Sequence, residues 1–356
     1  MRVTVKAHGR LHFGFIDPDG SSGRKFGSIG LAIGQPAIIL EATPAGRLSV
    51  VGHERNRVLT LMRRFLRHYT IRDGAQIAVK AMIPTHAGLG SGTQLALSVA
   101  AALARLFSID ADVRELAAVM GRGARSGIGI AAFERGGFIV DAGRKTVSSV
   151  ECQVLSGVEK GGGCGVEGVG TRRDASRLTP HASRADCTPP ILARYPFPED
   201  WTFVVAIPRV GRGLAGTAET NAFQGLVNRH STSATDRLSR IVLMRMLPSV
   251  LDRDPVVFGE SLTRIQRIVG GWFRPAQGGI FATIEGATLV KAMSRAGALG
   301  VGQSSWGPAV YGLARDRQMA ASIIEKMRTI VPAQIDADIF PARAFNRGAT
   351  IRVSSP

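Results

Sequence analysis

One stretch concentrates the chemistry available to this chain: Pro84-Thr85-His86-Ala87-Gly88-Leu89-Gly90-Ser91-Gly92-Thr93-Gln94, set between a strand-like run and a helix-like run. Glycine lets the backbone adopt positive φ and come close to a ligand. The free N–H groups and dipole of the following helix then form a cradle for phosphate. Ser91 and Thr93 stand where a side chain either caps that helix or touches a metal-bound phosphate. A second small-residue loop, Gly300-Val301-Gly302-Gln303-Ser304-Ser305-Trp306-Gly307-Pro308, suits a partner that meets the first across a cleft. Neither loop is a P-loop, which needs GxxxxGK[ST]. The GxGxxG dinucleotide fingerprint is also unmet in a strand-to-helix setting.

A third segment, Gly9-Arg10-Leu11-His12-Phe13-Gly14-Phe15-Ile16-Asp17, alternates polar and apolar residues as a half-buried strand does. On spacing alone, His12 is open to a structural role as well as to contact with a substrate. Arg10, Arg24 and Lys25 lie among glycines that suit an anion site.

The elements that position these residues follow from periodicity. Val3–Lys6, Ala37–Ala42 and Ile77–Ile83 read as strands, followed by helices over Thr93–Phe107 and Val113–Arg122. Gly136–Asp141 reads as a short buried strand after a tight turn, and Trp201–Pro208 as another. Helices are expected near Asp236–Leu247, Pro255–Val269, Ala287–Ala296 and Arg315–Arg328. This order implies an α+β fold and not a doubly wound sheet. The expected division is a first domain over 1–198 and a second over 199–356. Residues 156–190 have no apolar period and read as a surface insertion.

The chain has 356 residues and a formal net charge of +18, with arginine far in excess of lysine. Arginine excess arises from codon usage or from a need to bind phosphate and carboxylate with a planar fork. Basic charge raises nucleic-acid binding as a rival reading, but aromatic residues are only 6% and no recognition motif stands out. No apolar run is long enough for a membrane span, and the first residues lack a signal-peptide core. Cys152, Cys164 and Cys187 give neither a disulfide framework nor a zinc signature. The expectation is a soluble, cytoplasmic enzyme.

Together these stretches resemble the GHMP kinase superfamily. Arg10–Gly14, Gly88–Gln94, Gly121–Gly129 and Phe133–Asp141 are most similar to its non-kinase branch, the beta-ribofuranosylaminobenzene 5'-phosphate synthases of methanopterin synthesis. The resemblance covers the chain from residue 2 to about 145 and again from about Pro189 onward. It implies a two-domain GHMP-kinase-like fold whose second domain is ferredoxin-like, and it makes a homodimer the expected assembly. Kinases of the superfamily commonly carry Ser-Gly-x-Asp, with the acid activating a substrate hydroxyl. Here the stretch is Ser126-Gly127-Ile128-Gly129, where glycine can take no proton. Glu134 stands near enough in sequence to replace the acid, so an ATP-dependent kinase remains the rival from the same fold. An idle relative serving as an interaction protein is a third reading.

The reaction that the resemblance implies joins phosphoribosyl pyrophosphate to a para-substituted benzoate, with loss of pyrophosphate and carbon dioxide. Such anionic substrates favour arginines, loop amides and Mg²⁺ on the pyrophosphate. Gly88, Gly90, Ser91, Gly92, Thr93 and Gln94 are the expected phosphate contacts. Arg10, Arg24 and Arg125 are the expected anion contacts, with Ser126 beside them. His12 and His86 are expected to touch substrate, and Glu134 stands with Arg10, His12 and Arg125 among the catalytic candidates. Gln303, Ser304 and Ser305 are expected to close the cleft. Ser91, Asp17 and Asp141 are candidate metal ligands, Asp141 being equally readable as a turn residue.

Overall fold

The computed structural model describes residues 1–145, 188–209 and 232–354. All three cysteines and most of the expected insertion lie outside them. Strands β1 (Arg2–Asp17) and β2 (Arg24–Ala45) form a long antiparallel hairpin. Its turn is tied by the Asp17 carboxylate, which accepts the amides of Gly20 at 2.9 Å and Ser22 at 2.8 Å. The register shifts between His8 and Arg10 and again between His12 and Gly14. Such irregularities re-aim side chains, and these two bracket Arg10 and His12.

Strands β3 (Ser49–Gly52) and β4 (Gly74–Ala81) extend the sheet beyond β2. Strands β5 (Phe138–Asp141), β6 (Arg144–Lys145) and β7 (Ile191–Tyr195) complete its other arm. Helices α1 (Arg55–His68), α2 (Ser91–Leu106), α3 (Val113–Val119) and α4 (Ile128–Glu134) belong to this unit. Helix α2 is apolar nearly all round, as Leu95, Ala96, Leu97, Val99 and Ala100 show, and a helix of that kind must be buried. It lies against β1 and β2, with α1, α3 and α4 around it.

The second unit begins at β8 (Thr202–Pro208). Helix α5 (Thr232–Ile241), a π-helical turn over Val242–Met246, α6 (Leu247–Leu251), α7 (Pro255–Gln277) and α8 (Ile284–Arg295) follow. Then come β9 (Gly300–Gln303), β10 (Val310–Ala314), α9 (Arg317–Ile330) and β11 (Ala337–Arg343). The sheet order β11-β8-β10-β9, antiparallel throughout, is the ferredoxin-like βαββαβ arrangement. The α+β class is as the order of elements implies, and the ferredoxin-like second unit as the resemblance implies.

The expected boundary at 198/199 falls in the loop between β7 and β8. The last strand, β12 (Thr350–Ser354), returns to pair with β1, so the chain passes between the units twice. One apolar core crosses the junction, with Phe13 of β1 at 5.9 Å from Phe203 and 5.3 Å from Tyr311 between ring centroids. That shared core fixes the second unit, and hence its late loop, against β1.

Candidate active site

The glycine loop begins α2 with two left-handed residues, Gly88 at φ 82° and Gly90 at φ 85°. Intrahelical bonding starts with the amides of Thr93 and Gln94, both 3.1 Å from the Gly90 carbonyl. The amides before them head the helix without an intrahelical acceptor, at the positive end of its dipole. Ser91 is buried at this first turn, and His86, at φ 58°, is exposed on the loop.

Three segments distant in sequence are laced together here. The Ser304 hydroxyl donates to the Gly88 carbonyl at 2.7 Å and accepts the His12 amide at 3.0 Å. The Ser305 amide donates to the His12 carbonyl at 3.1 Å, and the Ala309 amide to the Ala87 carbonyl at 3.1 Å. Arg10 joins its amide to the Leu89 carbonyl at 3.0 Å and its guanidinium to the Gly88 carbonyl. The two small-residue loops therefore meet directly, with the Arg10–His12 strand between them. Gln303 braces the late loop, accepting the Ala282 amide at 2.6 Å and donating to the Ser305 carbonyl at 3.0 Å.

His12 is 3% exposed, and neither ring nitrogen has a hydrogen-bond partner among the described residues. It borders a cavity of about 20 Å³ lined also by Phe15, Phe273, Gln303, Ser305 and Trp306. Burial, reinforced by the nearby Arg10 charge, holds the imidazole well below its ordinary range, so His12 is neutral. His8, stacked on Phe345 at 3.6 Å, is lowered as well, chiefly by burial. The unfolded chain protonates both below about pH 6.5 while the folded protein does not. The stability they support is therefore present above that pH and lost as pH falls. Unfolding free energy, and the melting temperature with it, should decline from about pH 7 to 5, by up to about 1.4 kcal/mol per pH unit for each such histidine. His12→Gln should flatten the decline; an unchanged slope would remove His12 from this balance.

A second cluster surrounds Asp141. Its Oδ1 accepts the amides of Ser28 at 3.1 Å and Gly143 at 2.9 Å. Its Oδ2 accepts the Gly127 amide at 2.8 Å and the Ser28 hydroxyl. Burial pushes this carboxyl above its usual range, and the hydrogen bonds oppose that push. Ser126 lies 2.7 Å from the Ser28 hydroxyl, and Arg24 spends Nε and a terminal nitrogen on the carbonyls of Ala142 at 2.7 Å and Gly143 at 3.0 Å. Arg125 belongs to the same loop before α4. The first turn of α4 links the two clusters, since Gln94 donates to the Gly129 carbonyl at 2.7 Å and Thr93 packs on Gly129.

Several expected residues thus have structural partners. Gln94 faces α4. Asp141 has its lone pairs filled, and Asp17 ties the β1–β2 turn. No group of three His, Cys, Asp or Glu side chains gathers to hold a metal among the described residues. Glu134 stands at the far end of α4, about 9 Å along the axis from its start at 1.5 Å per residue. There it pairs with Arg135 at 3.4 Å.

Two arginines that the sequence did not single out reach the glycine loop instead. A Cβ at Gly92 would lie 2.8 Å from a terminal nitrogen of Arg57 and 3.7 Å from one of Arg122. Arg57 is carried by α1, and Arg122 sits in the Gly121-Arg122-Gly123 turn. The signal for Arg57 was present as the apolar spacing of Val58, Leu61, Met62, Phe65 and Leu66, which marks α1 and fixes the face opposite its core.

Comparison with known proteins gives the family of the chain. Residues 56–137 match the GHMP kinases N terminal domain and residues 246–333 the GHMP kinases C terminal family. A "Beta-ribofuranosylphenol 5'-phosphate synthase" of Methanothermobacter thermautotrophicus is 33% identical over 92% of this chain and 94% of its own length. The chain belongs to the beta-ribofuranosylphenol 5'-phosphate synthase family. A relative of the same name from Archaeoglobus fulgidus is 31% identical over 99% of this chain and 100% of its own length. Among solved structures, homoserine kinase from Cytophaga hutchinsonii matches with a TM-score of 0.63 at 17% identity, covering 99% of this chain and 97% of its own. Mevalonate kinase from Methanococcus jannaschii matches with a TM-score of 0.63 at 12% identity, covering 96% and 98%. These likenesses show the shared fold. Membership of the synthase family makes the chain an enzyme of small-molecule chemistry. No helix among the described residues is long and apolar enough to cross a membrane.

Proposed function

We propose that this family member transfers the phosphoribosyl group of phosphoribosyl pyrophosphate to 4-hydroxybenzoate, with 4-aminobenzoate as the alternative acceptor. The product is a C-riboside 5'-phosphate in tetrahydromethanopterin synthesis, and pyrophosphate and carbon dioxide are released. The relatives are named for a ribofuranosylphenol phosphate, which favours the hydroxyl acceptor.

The observation that carries this reading over a kinase is the absence of an acid at the start of α4. Gly129 carries no side chain, and a Cβ there would lie 3.0 Å from Thr93 Cγ2, so the position is closely packed as well as without an acid. Glu134 is a helix length away, so no carboxylate of this helix supports deprotonation of a substrate alcohol. The proposed transfer needs none. The C1–O bond to pyrophosphate breaks with its electron pair leaving on oxygen. The ring carbon bearing the carboxylate supplies the pair that forms the C–C bond, pushed by the para hydroxyl. The carboxylate bond then breaks, its pair restoring the aromatic ring as carbon dioxide departs. Catalysis of this kind rests on positioning and charge stabilisation. The loop amides and Arg10 meet phosphate oxygens, while neutral His12 offers a polar contact to uncharged parts of the substrates. Magnesium, brought in with the pyrophosphate, would find its protein contact in the Ser91 hydroxyl and would offset charge on the leaving group, since Asp141 is saturated and Asp17 is tied into its turn. The family relationship also supports a homodimer and a cytoplasmic location.

Incubation with phosphoribosyl pyrophosphate and 4-hydroxybenzoate should release carbon dioxide and pyrophosphate in equal amounts. ADP formation from ATP and an alcohol, without that coupled release from either benzoate, would replace this reading with the kinase.

A further inference from the structure

The arginine cluster at the head of α2 is charged beyond what its protein partners balance. Among the described residues Arg57, from α1, has one acidic partner, Glu54 at 3.6 Å. Arg64, two turns further along α1, gives its Nε to the Val119 carbonyl at 2.5 Å, and a Cβ at Gly121 would lie 2.8 Å from its terminal nitrogen. Between them stands Arg122, whose buried Nε has no acceptor among the described residues. Burial, then the charges of Arg57 and Arg64, pull its guanidinium below the ordinary range. A half-buried cation with like charges beside it destabilises the empty protein. Gly92, lacking a Cβ, lets Arg57 and Arg122 stand directly over the first turn of α2, beside amides that have no intrahelical acceptor. Guanidinium forks, free amides and a positive helix end all favour one kind of ligand, an anion with several oxygens.

We propose that Arg57 and Arg122 clamp the pyrophosphate end of the sugar donor over Gly92, with Arg64 reinforcing the field. The choice of pyrophosphate over the 5-phosphate rests on the proposed phosphoribosyl transfer. The leaving pyrophosphate carries the larger charge and gains more as the C1–O bond breaks, so it belongs where the cations are densest. The clamp would hold the donor and also stabilise the leaving group.

The test compares wild-type protein with Arg122→Met and Arg57→Met by thermal unfolding and calorimetric titration, using inorganic pyrophosphate and ribose 5-phosphate as separate probes. Pyrophosphate should raise the melting temperature of the wild type, and either variant should weaken its binding by at least about tenfold. Ribose 5-phosphate binding should change little. Without ligand, Arg122→Met should melt at or above the wild-type temperature, because a like-charge contact has been removed. A purely structural arginine would give the reverse, a lower melting temperature with pyrophosphate binding intact, and that result overturns the clamp. Equal weakening of both probes would overturn the assignment to the pyrophosphate end. If the wild type forms the riboside while both variants bind pyrophosphate normally, the clamp fails and the reaction stands. If it forms none while the variants lose pyrophosphate, the reaction fails and the anion site stands. Should Arg122→Met not fold, Arg57→Met, at a half-exposed position, gives the same comparison.

Discussion

Gly88→Ala should destabilise the protein by about 2 to 5 kcal/mol and cut turnover about a hundredfold. Two separate effects act at this position. The residue holds φ 82°, a conformation that costs a residue bearing a Cβ about 1 to 3 kcal/mol. The added methyl would also meet the Ser304 carbonyl oxygen at 2.2 Å, well inside contact distance, and overpacking of this sort costs about 1 to 3 kcal/mol. The neighbour is backbone, so relief requires the late loop to move. Ser304 would then lose its bond to the Gly88 carbonyl and its grip on the His12 amide. A shift of about 1 Å in groups that position a substrate is enough to lose two orders of magnitude in rate. Gly46→Ala is the control, since a Cβ there meets nothing within 4 Å. Denaturant unfolding and steady-state turnover of both variants would settle the matter. A Gly88→Ala protein with wild-type stability and rate would mean that the two loops do not meet in the working enzyme.

The contact between these loops was legible in the sequence because glycine and small polar residues restrict what a segment can do. A strand, a glycine turn and a helix leave few alternatives to a phosphate cradle. The late loop, with the same composition, needed only the fold to bring it opposite. What spacing does not carry is the choice between a side chain that faces a ligand and one that holds the frame. Ser304 and Gln303 were expected to close over substrate, and their hydrogen bonds go to the backbone of neighbouring segments. Gln94 follows the loop in sequence, but one helical turn rotates it toward α4. Glu134 is near Ser126 in sequence and a helix away in space. In the other direction, α1 was passed over because its arginines hide a regular apolar stripe, and Arg57 went unnoticed with it. Arg122 belongs to a motif whose spacing gives it no role, since only the packing of α1 beside the Gly121 turn brings like charges together. The return of β12 to the first sheet is a long-range pairing that no local pattern specifies.

Asp141 is where the metal reading and the structural reading diverge most, and Asp141→Asn separates them. The carboxylate accepts from five donors, two at Oδ1 and three at Oδ2. An amide keeps one accepting oxygen and turns two N–H donors toward groups that are themselves donors. Whichever way the amide flips, at least one backbone N–H is left buried without an acceptor, at about 1 to 3 kcal/mol for each unsatisfied group. The expected cost is therefore about 2 to 4 kcal/mol, seen as a lower melting temperature with or without magnesium. The damage should spread to the start of α4, whose Gly127 amide is one of the donors, and from there to Thr93 through Gly129. A ligand aspartate would behave differently. Its asparagine variant would keep the fold and lose the response to magnesium, because the carboxylate would have been supplying charge to an ion and not order to a turn. Magnesium titration in the presence of pyrophosphate, followed by thermal unfolding, distinguishes these outcomes. A stable Asp141→Asn protein that no longer responds to the ion would move Asp141 from the frame of the site into its chemistry.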